Sequence, residues 1–263
     1  MRFPLRGLNY CEIIPCQQKV AQTLNMRLKF KQILSNKLSI GLFNHLFKQR
    51  CLLCTAQNAG ELGLCEACLN DLPWHTAPQC PQCGLNSNGF VCGSCLSSPP
   101  DFDATYSVFT YDFPIDAMMQ SYKYGNKLNL ANIFGQMLGK RVDLTNVDLI
   151  IPMPMHPTRL KERGFNQALE IAKIITKNHP EKLDFTTLQR QKYTPPQASL
   201  PLKERVKNIK GAFKVTNHLT GKRIAIIDDV MTTGASLNEL AKTLKLAGAA
   251  QVECWVIART LQK

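Results

Sequence analysis

Two adjacent carboxylates followed by a hydroxyl-rich turn are the residues of this 263-residue chain best suited to chemistry. The segment Ile226-Ile227-Asp228-Asp229-Val230-Met231-Thr232-Thr233-Gly234-Ala235-Ser236-Leu237 passes from an aliphatic run through two acids into small and hydroxyl residues. The pattern predicts a buried strand ending in Asp228 and Asp229, then a turn that opens a helix. In open α/β sheets a ligand sits beyond the carboxyl ends of the strands, where such a turn lies. The backbone N–H groups of the turn and the helix dipole favour a phosphate. Gly234 lets the backbone approach closely, small Ala235 leaves room, and Thr232, Thr233 and Ser236 can donate to phosphate oxygens. Asp228 and Asp229 are then placed to accept from ribose hydroxyls and to hold Mg²⁺ directly or through water. The bland alternative is an acidic helix cap, but two acids at the end of a buried strand are costly without a ligand or ion.

A second set of reactive residues lies upstream. Eight of the eleven cysteines fall in four Cys-x-x-Cys pairs: Cys51/Cys54, Cys65/Cys68, Cys80/Cys83 and Cys92/Cys95. With no export signal in view, the compartment is expected to be reducing, and such pairs then mean metal rather than disulfides. Four thiolates make a closed tetrahedral zinc site with no open position for catalysis. Ten residues separate the first two pairs and eight the last two, which suits two successive zinc-ribbon hairpins. A cross-braced pairing, first with third and second with fourth, is also open because the middle gap is eleven residues. One or two structural zinc ions are expected, and metal is expected to be the main folding term of so short a segment. Redox chemistry is the rival, but no thioredoxin-like βαβ pattern surrounds the pairs. Cys254 stands alone in an apolar run and reads as core.

The elements that must position these groups alternate. Ala104–Tyr111 reads as a strand, Pro114 as the first turn of a helix toward Tyr124, and about 128–138 as a second helix. Val147–Ile151 is a short buried strand and Gln167–Thr176 an amphipathic helix. Arg223–Ile227, Ser236–Leu246 and Val252–Ala258 complete a strand–helix–strand unit, with Gly248 ending the helix. The last strand is apolar at nearly every position, as in a parallel sheet covered on both faces. Strands separated by helices imply a doubly wound α/β domain. Three parts follow: a basic extension at 1–50, a cysteine-rich module at 51–98 closed by Ser97-Ser98-Pro99-Pro100, and an α/β domain at 101–263.

Charge bounds the partners. The formal net charge of +13 points to an anionic partner, nucleic acid or phosphorylated metabolite. Residues 1–50 hold nine Lys or Arg against one acid, Glu12, and Leu28–Ile40 reads as a loosely amphipathic basic helix or a solvated extension. No run nears the roughly 18 apolar residues of a membrane span, so the chain is read as cytoplasmic and not integral to a membrane.

Residues 226–237 resemble the phosphoribosyl pyrophosphate motif of type I phosphoribosyltransferases: aliphatic strand, Asp-Asp, two aliphatics, Thr-Thr-Gly-x-Ser, aliphatic. Ile150-Ile151-Pro152-Met153-Pro154-Met155 is similar to that family's pyrophosphate loop, and is followed by Arg159 and Arg163-Gly164-Phe165-Asn166-Gln167. Guanidinium forks there would suit pyrophosphate oxygens. Arg190, Thr194-Pro-Pro-Gln197, Arg205, Asn208 and Gly211-Ala212-Phe213 resemble the mobile loop that folds over substrate. His156 reads as a structural or bystander residue, and Lys123 faces either the cleft or solvent.

With the cysteine pairs ahead of it, this order resembles the ComF family, competence-associated proteins with a zinc module before a phosphoribosyltransferase domain. The resemblance runs from about Cys51 to Arg259. It implies a type I phosphoribosyltransferase fold, a mostly parallel sheet flanked by helices, preceded by a double zinc ribbon. It also implies phosphoribosyl pyrophosphate or a related nucleotide held with Mg²⁺ by Met153, Arg159, Arg163, Arg205, Asp228, Asp229 and the turn 232–236. Single-stranded DNA and proteins of the DNA-uptake machinery would be partners in natural transformation. Two other uses of the same pocket stay open. One is a transferase of nucleobase salvage and nucleotide metabolism, with Asp228 and Asp229 catalytic; the other is a non-catalytic sensor of the metabolite.

Overall fold

The structure, a computed structural model, describes residues 49–125, 127–193 and 208–261. The basic helix expected at 28–40, Cys11 and Cys16, Thr194–Gln197 and Arg205 lie outside the described residues. The chain divides into two compact units, residues 1–66 and 67–263.

In the first unit a Cys-x-x-Cys turn folds back on itself. The Cys51 N–H donates to the Ala56 carbonyl at 2.7 Å, and the Leu52 N–H donates to the Gly63 carbonyl at 2.9 Å. Cys51, Leu64 and Cys65 are buried there.

The second unit follows α1 (Glu66–Asn70) with a second cysteine-rich turn, α2 (Gly93–Ser97) and then the α/β domain. Its strands are β1 (Ala104–Thr110), β2 (Leu149–Pro152), β3 (Leu188–Arg190), β4 (Phe213–Val215), β5 (Arg223–Met231) and β6 (Gln251–Arg259). Its helices are α3 (Ile115–Tyr124), α4 (Asn129–Gly139), α5 (Pro157–Arg163), α6 (Gln167–Ile175) and α7 (Ala235–Leu246). Four strands form a sheet in the order β1-β6-β5-β2, and every neighbouring pair is parallel. This is the parallel sheet with flanking helices expected from the alternation of elements.

The sequence pattern explains the layers. β6 is buried from Val252 to Arg259, because a central parallel strand is covered on both faces. Helices α4 and α6 pack on each other and on the sheet, while α7 lies against β6 and β4. α7 buries Leu237, Leu240, Ala241 and Leu244, the helical repeat visible in the sequence. Each buried leucine there contributes on the order of 1.5–3 kcal/mol. Cys254, fully buried within β6, is the core residue expected, and burial pushes its thiol well above the usual range. Among the described residues no helix is long and apolar enough to cross a membrane.

Two elements differ from the sequence expectation. β5 does not stop at Ile227 but continues through both aspartates to Met231. β2 ends at Pro152 opposite Ile227, whereas β6 runs on to Arg259 opposite Met231, so one flank of β5 still has a partner. The expected loop around Arg190 and Phe213 is anchored by β3 and β4, an antiparallel pair with Arg190 opposite Phe213. Three-residue strands carry too little periodicity to be read from sequence.

Candidate functional site

The carboxyl ends of β2 and β5 open into a cleft of about 420 Å³. Its lining includes Asp228, Asp229, Thr232, Thr233, Gly234, Ala235 and Ser236 from β5 and the turn, Met153 from the β2 loop, and Arg159 and Arg163 from α5. Of the described residues singled out in the sequence, these and Arg190 share one cavity, whereas Asn208 and Gly211-Ala212-Phe213 do not line it.

Local structure explains the placement. Beyond β2, the Met153 N–H donates to the Ile227 carbonyl at 2.8 Å, which holds the Pro-Met-Pro loop against β5. Asn166 caps α6 by accepting from the Leu169 N–H at 3.3 Å, and its Nδ2 donates to the Met153 carbonyl at 3.0 Å. Phe165 packs on Tyr122 at 5.5 Å between ring centroids, and the Tyr122 hydroxyl donates to the Gln167 carbonyl at 3.0 Å. The Arg-Gly-Phe-Asn-Gln segment is thus a packed corner, and it presents Arg163 to the cleft. The Arg163 Nη1 donates to Gln167 Oε1 at 2.8 Å, and its guanidinium stacks 5.2 Å from the Tyr124 ring centre. Gln167 is 2% exposed, and its Nε2 has no hydrogen-bond partner among the described residues, so a donor is left over at the cleft wall.

The turn after β5 begins helix α7 at Gly234, whose φ of +78° is left-handed. The Thr233 hydroxyl accepts from the Ala235 N–H at 3.3 Å, and Thr232 and Thr233 are both exposed. A Cβ on Gly234 would meet the Met231 Cε at 2.7 Å. Gly234→Ala is therefore expected to cost about 1–2 kcal/mol from backbone strain alone. The measurement is the midpoint of thermal unfolding, which should fall by several degrees.

The electrostatics are unusual. Asp228 accepts from the Asp229 N–H at 2.9 Å, and Asp229 pairs with the Lys123 ammonium at 2.9 Å. Desolvation deep in the cleft and the neighbouring Asp229 charge push Asp228 up to about 7. Burial works to lower the Lys123 ammonium, but the Asp229 carboxylate outweighs it, and the net direction is upward. Burial and the nearby Arg159 charge push both Arg163 and Arg190 down. Lys123 pairs with Asp229, and Arg159, Arg163 and Arg190 line the same cleft as the two carboxylates. The arginines and the exposed turn suit an anion. Lys123, which the sequence left between cleft and solvent, lines the cleft. Its only local signal was a basic residue in the last turn of α3.

His156 caps α5, accepting from the Thr158 N–H at 3.3 Å, which fits the structural role expected. It also lines a neighbouring cavity of about 730 Å³ that shares Pro154, Met155, Asn166 and Arg190 with the cleft.

The eight paired cysteines gather as two groups of four, Cys51/Cys54/Cys65/Cys68 and Cys80/Cys83/Cys92/Cys95. Successive pairs therefore combine, and the cross-braced arrangement is not the one adopted. Within each group the sulfurs lie within 4.8 Å of one another, with Cys54 to Cys65 at 3.6 Å and Cys83 to Cys92 at 3.7 Å. Sulfurs about 2.3 Å from a shared zinc in a tetrahedron stand at about this spacing, so each group fits one ion. Backbone donors favour one thiolate in each group. Burial opposes the Cys51 thiolate, yet N–H groups of Cys54, Cys65 and Leu53 bring it down to about 6. The N–H groups of Cys83, Cys92 and Gln82 likewise bring Cys80 down to about 7 against its burial.

Comparison with known proteins agrees with both halves of the chain. Residues 42–96 match the double zinc ribbon domain, and residues 160–263 match the phosphoribosyl transferase domain. Competence protein F of Haemophilus influenzae is 30% identical over 232 residues, which cover 82% of this chain and 99% of that protein. The DNA utilization protein YhgH of Escherichia coli is 30% identical over 80% of this chain and 97% of its own length. Competence protein ComFC of Streptococcus pneumoniae is 25% identical over 74% and 87%. Among solved structures, a purine phosphoribosyltransferase from Pyrococcus horikoshii is 18% identical with a TM-score of 0.29, over 51% of this chain and 83% of that one. With a double zinc ribbon ahead of a phosphoribosyltransferase domain and relatives matched over nearly their whole length, the chain belongs to the ComF family.

Proposed function

We propose that the protein binds phosphoribosyl pyrophosphate with Mg²⁺ in the β2–β5 cleft and single-stranded DNA on its basic surface, and acts in DNA uptake and processing during natural transformation. The observation that carries this reading is the convergence of Asp228, Asp229, the turn 232–236 and the arginines 159, 163 and 190 on one cavity. In this reading the turn takes the 5′-phosphate, the arginines take the pyrophosphate, and the aspartates take the ribose hydroxyls. Mg²⁺ would be held by the Asp228 and Asp229 carboxylates together with oxygens of the ligand. The leftover Gln167 Nε2 donor also suits a polar ligand. The DNA part rests on the net charge of +13 and on relatives named for competence and DNA utilization.

Calorimetric titration of phosphoribosyl pyrophosphate with Mg²⁺, with and without short single-stranded DNA, tests it. Binding is expected, with an affinity that changes when DNA is present. DNA affinity is expected to fall steeply between about 50 and 200 mM salt as counterions compete for the basic surface. No heat from phosphoribosyl pyrophosphate would overturn the site, and indifference to DNA would overturn the coupling.

A second reading is catalytic transfer of the ribose phosphate to a nucleobase or other nucleophile. The neighbouring cavity, which shares Pro154, Asn166 and Arg190 with the cleft, favours it by offering space for an acceptor. Asp228 and Asp229 would then stabilise charge developing on the ribose while Arg159 and Arg163 hold the leaving pyrophosphate. Release of pyrophosphate in a nucleobase screen would raise this reading above simple binding, or above a sensor.

A further inference from the structure

We infer that Arg259 couples the second zinc ribbon to the phosphate-binding turn, so that metal held by Cys80, Cys83, Cys92 and Cys95 sets the conformation of Met231 and Thr232. What the turn binds rests on the function proposed above; the coupling itself does not.

Arg259 closes β6 in register with Met231 of β5 and is 3% exposed. Its Nε donates to the Cys83 carbonyl at 2.9 Å. Its Nη1 donates to the carbonyls of Met231 at 2.9 Å, Thr260 at 3.0 Å and Thr232. Every acceptor it uses among the described residues is a backbone carbonyl, so the guanidinium reads backbone geometry on both sides. One side is the peptide of a zinc-ligand turn. The other is the two residues directly before Thr233 and Gly234.

The zinc turn is pressed onto the sheet at successive residues. The Thr105 N–H donates to the Pro81 carbonyl at 3.0 Å, and the Thr105 hydroxyl donates to the Gln82 carbonyl at 2.5 Å. The carbonyls of residues 81, 82 and 83 therefore all point at β1 and β6. Gly84, at φ +66°, allows this approach, since a Cβ there would lie 3.0 Å from the Thr105 Cγ2. The buried cluster of the ribbon consists of Cys80, Cys83 and Cys95, with Leu85, Val91 and Cys92 packed against it. A core made of metal ligands holds its turns only while the ligands share an ion. When they do not, the Cys83 carbonyl is free to turn away, and Arg259 loses the bond that aims its fork at the phosphate turn. Arg259 is a positioning residue: it reaches the cleft only through the Met231 and Thr232 carbonyls.

Hydrogen exchange on the full, zinc-loaded chain tests the coupling without any ligand. Arg259→Lys keeps the charge and most of the stem but has one nitrogen, which cannot serve the knuckle and the turn together. Protected amides in 228–237 are expected to exchange at least tenfold faster, with bound zinc and the exchange of β2 unchanged. Cys92→Ser, with Arg259 intact, is expected to give the same pattern in 228–237, and it decides the matter if the arginine variant does not fold. Unchanged exchange in 228–237 in the folded variants overturns the coupling, as does a loosening spread equally over β2. Titration of the same samples with phosphoribosyl pyrophosphate and Mg²⁺ should show Kd at least tenfold weaker in both variants. Failure of the unmodified protein to bind would remove the proposed ligand, while the exchange data would still decide the coupling.

Discussion

Asp228→Asn is expected to stabilise the ligand-free protein above neutral pH and to remove its affinity for phosphoribosyl pyrophosphate. Asp228 is held up near pH 7 in the folded protein by desolvation and by the Asp229 charge. An unfolded aspartate ionises near about 3.9. Between those values the folded chain keeps a proton that the unfolded chain has lost. Stability therefore declines as pH climbs from about 4 to about 7 and stays lowered above that. Asparagine keeps the Asp229 N–H acceptor and does not titrate. At pH 8 the variant should gain on the order of 4 kcal/mol over the parent, and near pH 4.5 the gain should shrink to about 1 kcal/mol or less. Chemical denaturation at three pH values measures this. A variant less stable than the parent at pH 8 would mean the neighbours already satisfy the Asp228 charge. Binding should move the other way, with at least a hundredfold loss of affinity. In the parent protein, affinity should weaken below pH 7 by up to tenfold per pH unit as Asp228 takes up its proton. A site kept at a cost to stability is the usual signature of function.

Cys95→Ser is expected to halve the bound zinc, from two ions per chain to one, and to unfold the second ribbon. Burial and the neighbouring thiols push the Cys95 thiol upward, so without a metal this group resists ionising. The ribbon has almost no apolar core besides its own ligands. Structural zinc supplies apparent folding energies of about 10–16 kcal/mol in small ribbons, and a serine cannot replace a thiolate. Metal analysis of the purified chain and its thermal unfolding give the two readouts. Two zinc ions retained in the variant would show that Cys95 is not a ligand. Because Arg259 ties Cys83 of this ribbon to Met231, the loss should also speed amide exchange in 228–237 while leaving β2 unchanged.

The sequence by itself determined the features whose signal is local. Four Cys-x-x-Cys pairs announced zinc, because both sulfurs of a knuckle must come from one short turn. Asp-Asp followed by Thr-Thr-Gly announced a turn at a strand end that opens a helix, because strand, acids, turn and helix start are consecutive in the chain. The apolar run of β6 announced a central parallel strand. Only the tertiary structure decided matters that depend on residues far apart. It combined the cysteine pairs in succession, where spacing alone allowed two arrangements. It carried β5 past the aspartates, because the neighbouring β6 extends to Arg259. It brought Lys123 to Asp229, and Arg259 to a carbonyl 176 residues earlier. A lone lysine or arginine has no period and no fixed spacing to its partner, so nothing in the linear chain marks such a contact before the sheet and its helices bring the two ends together.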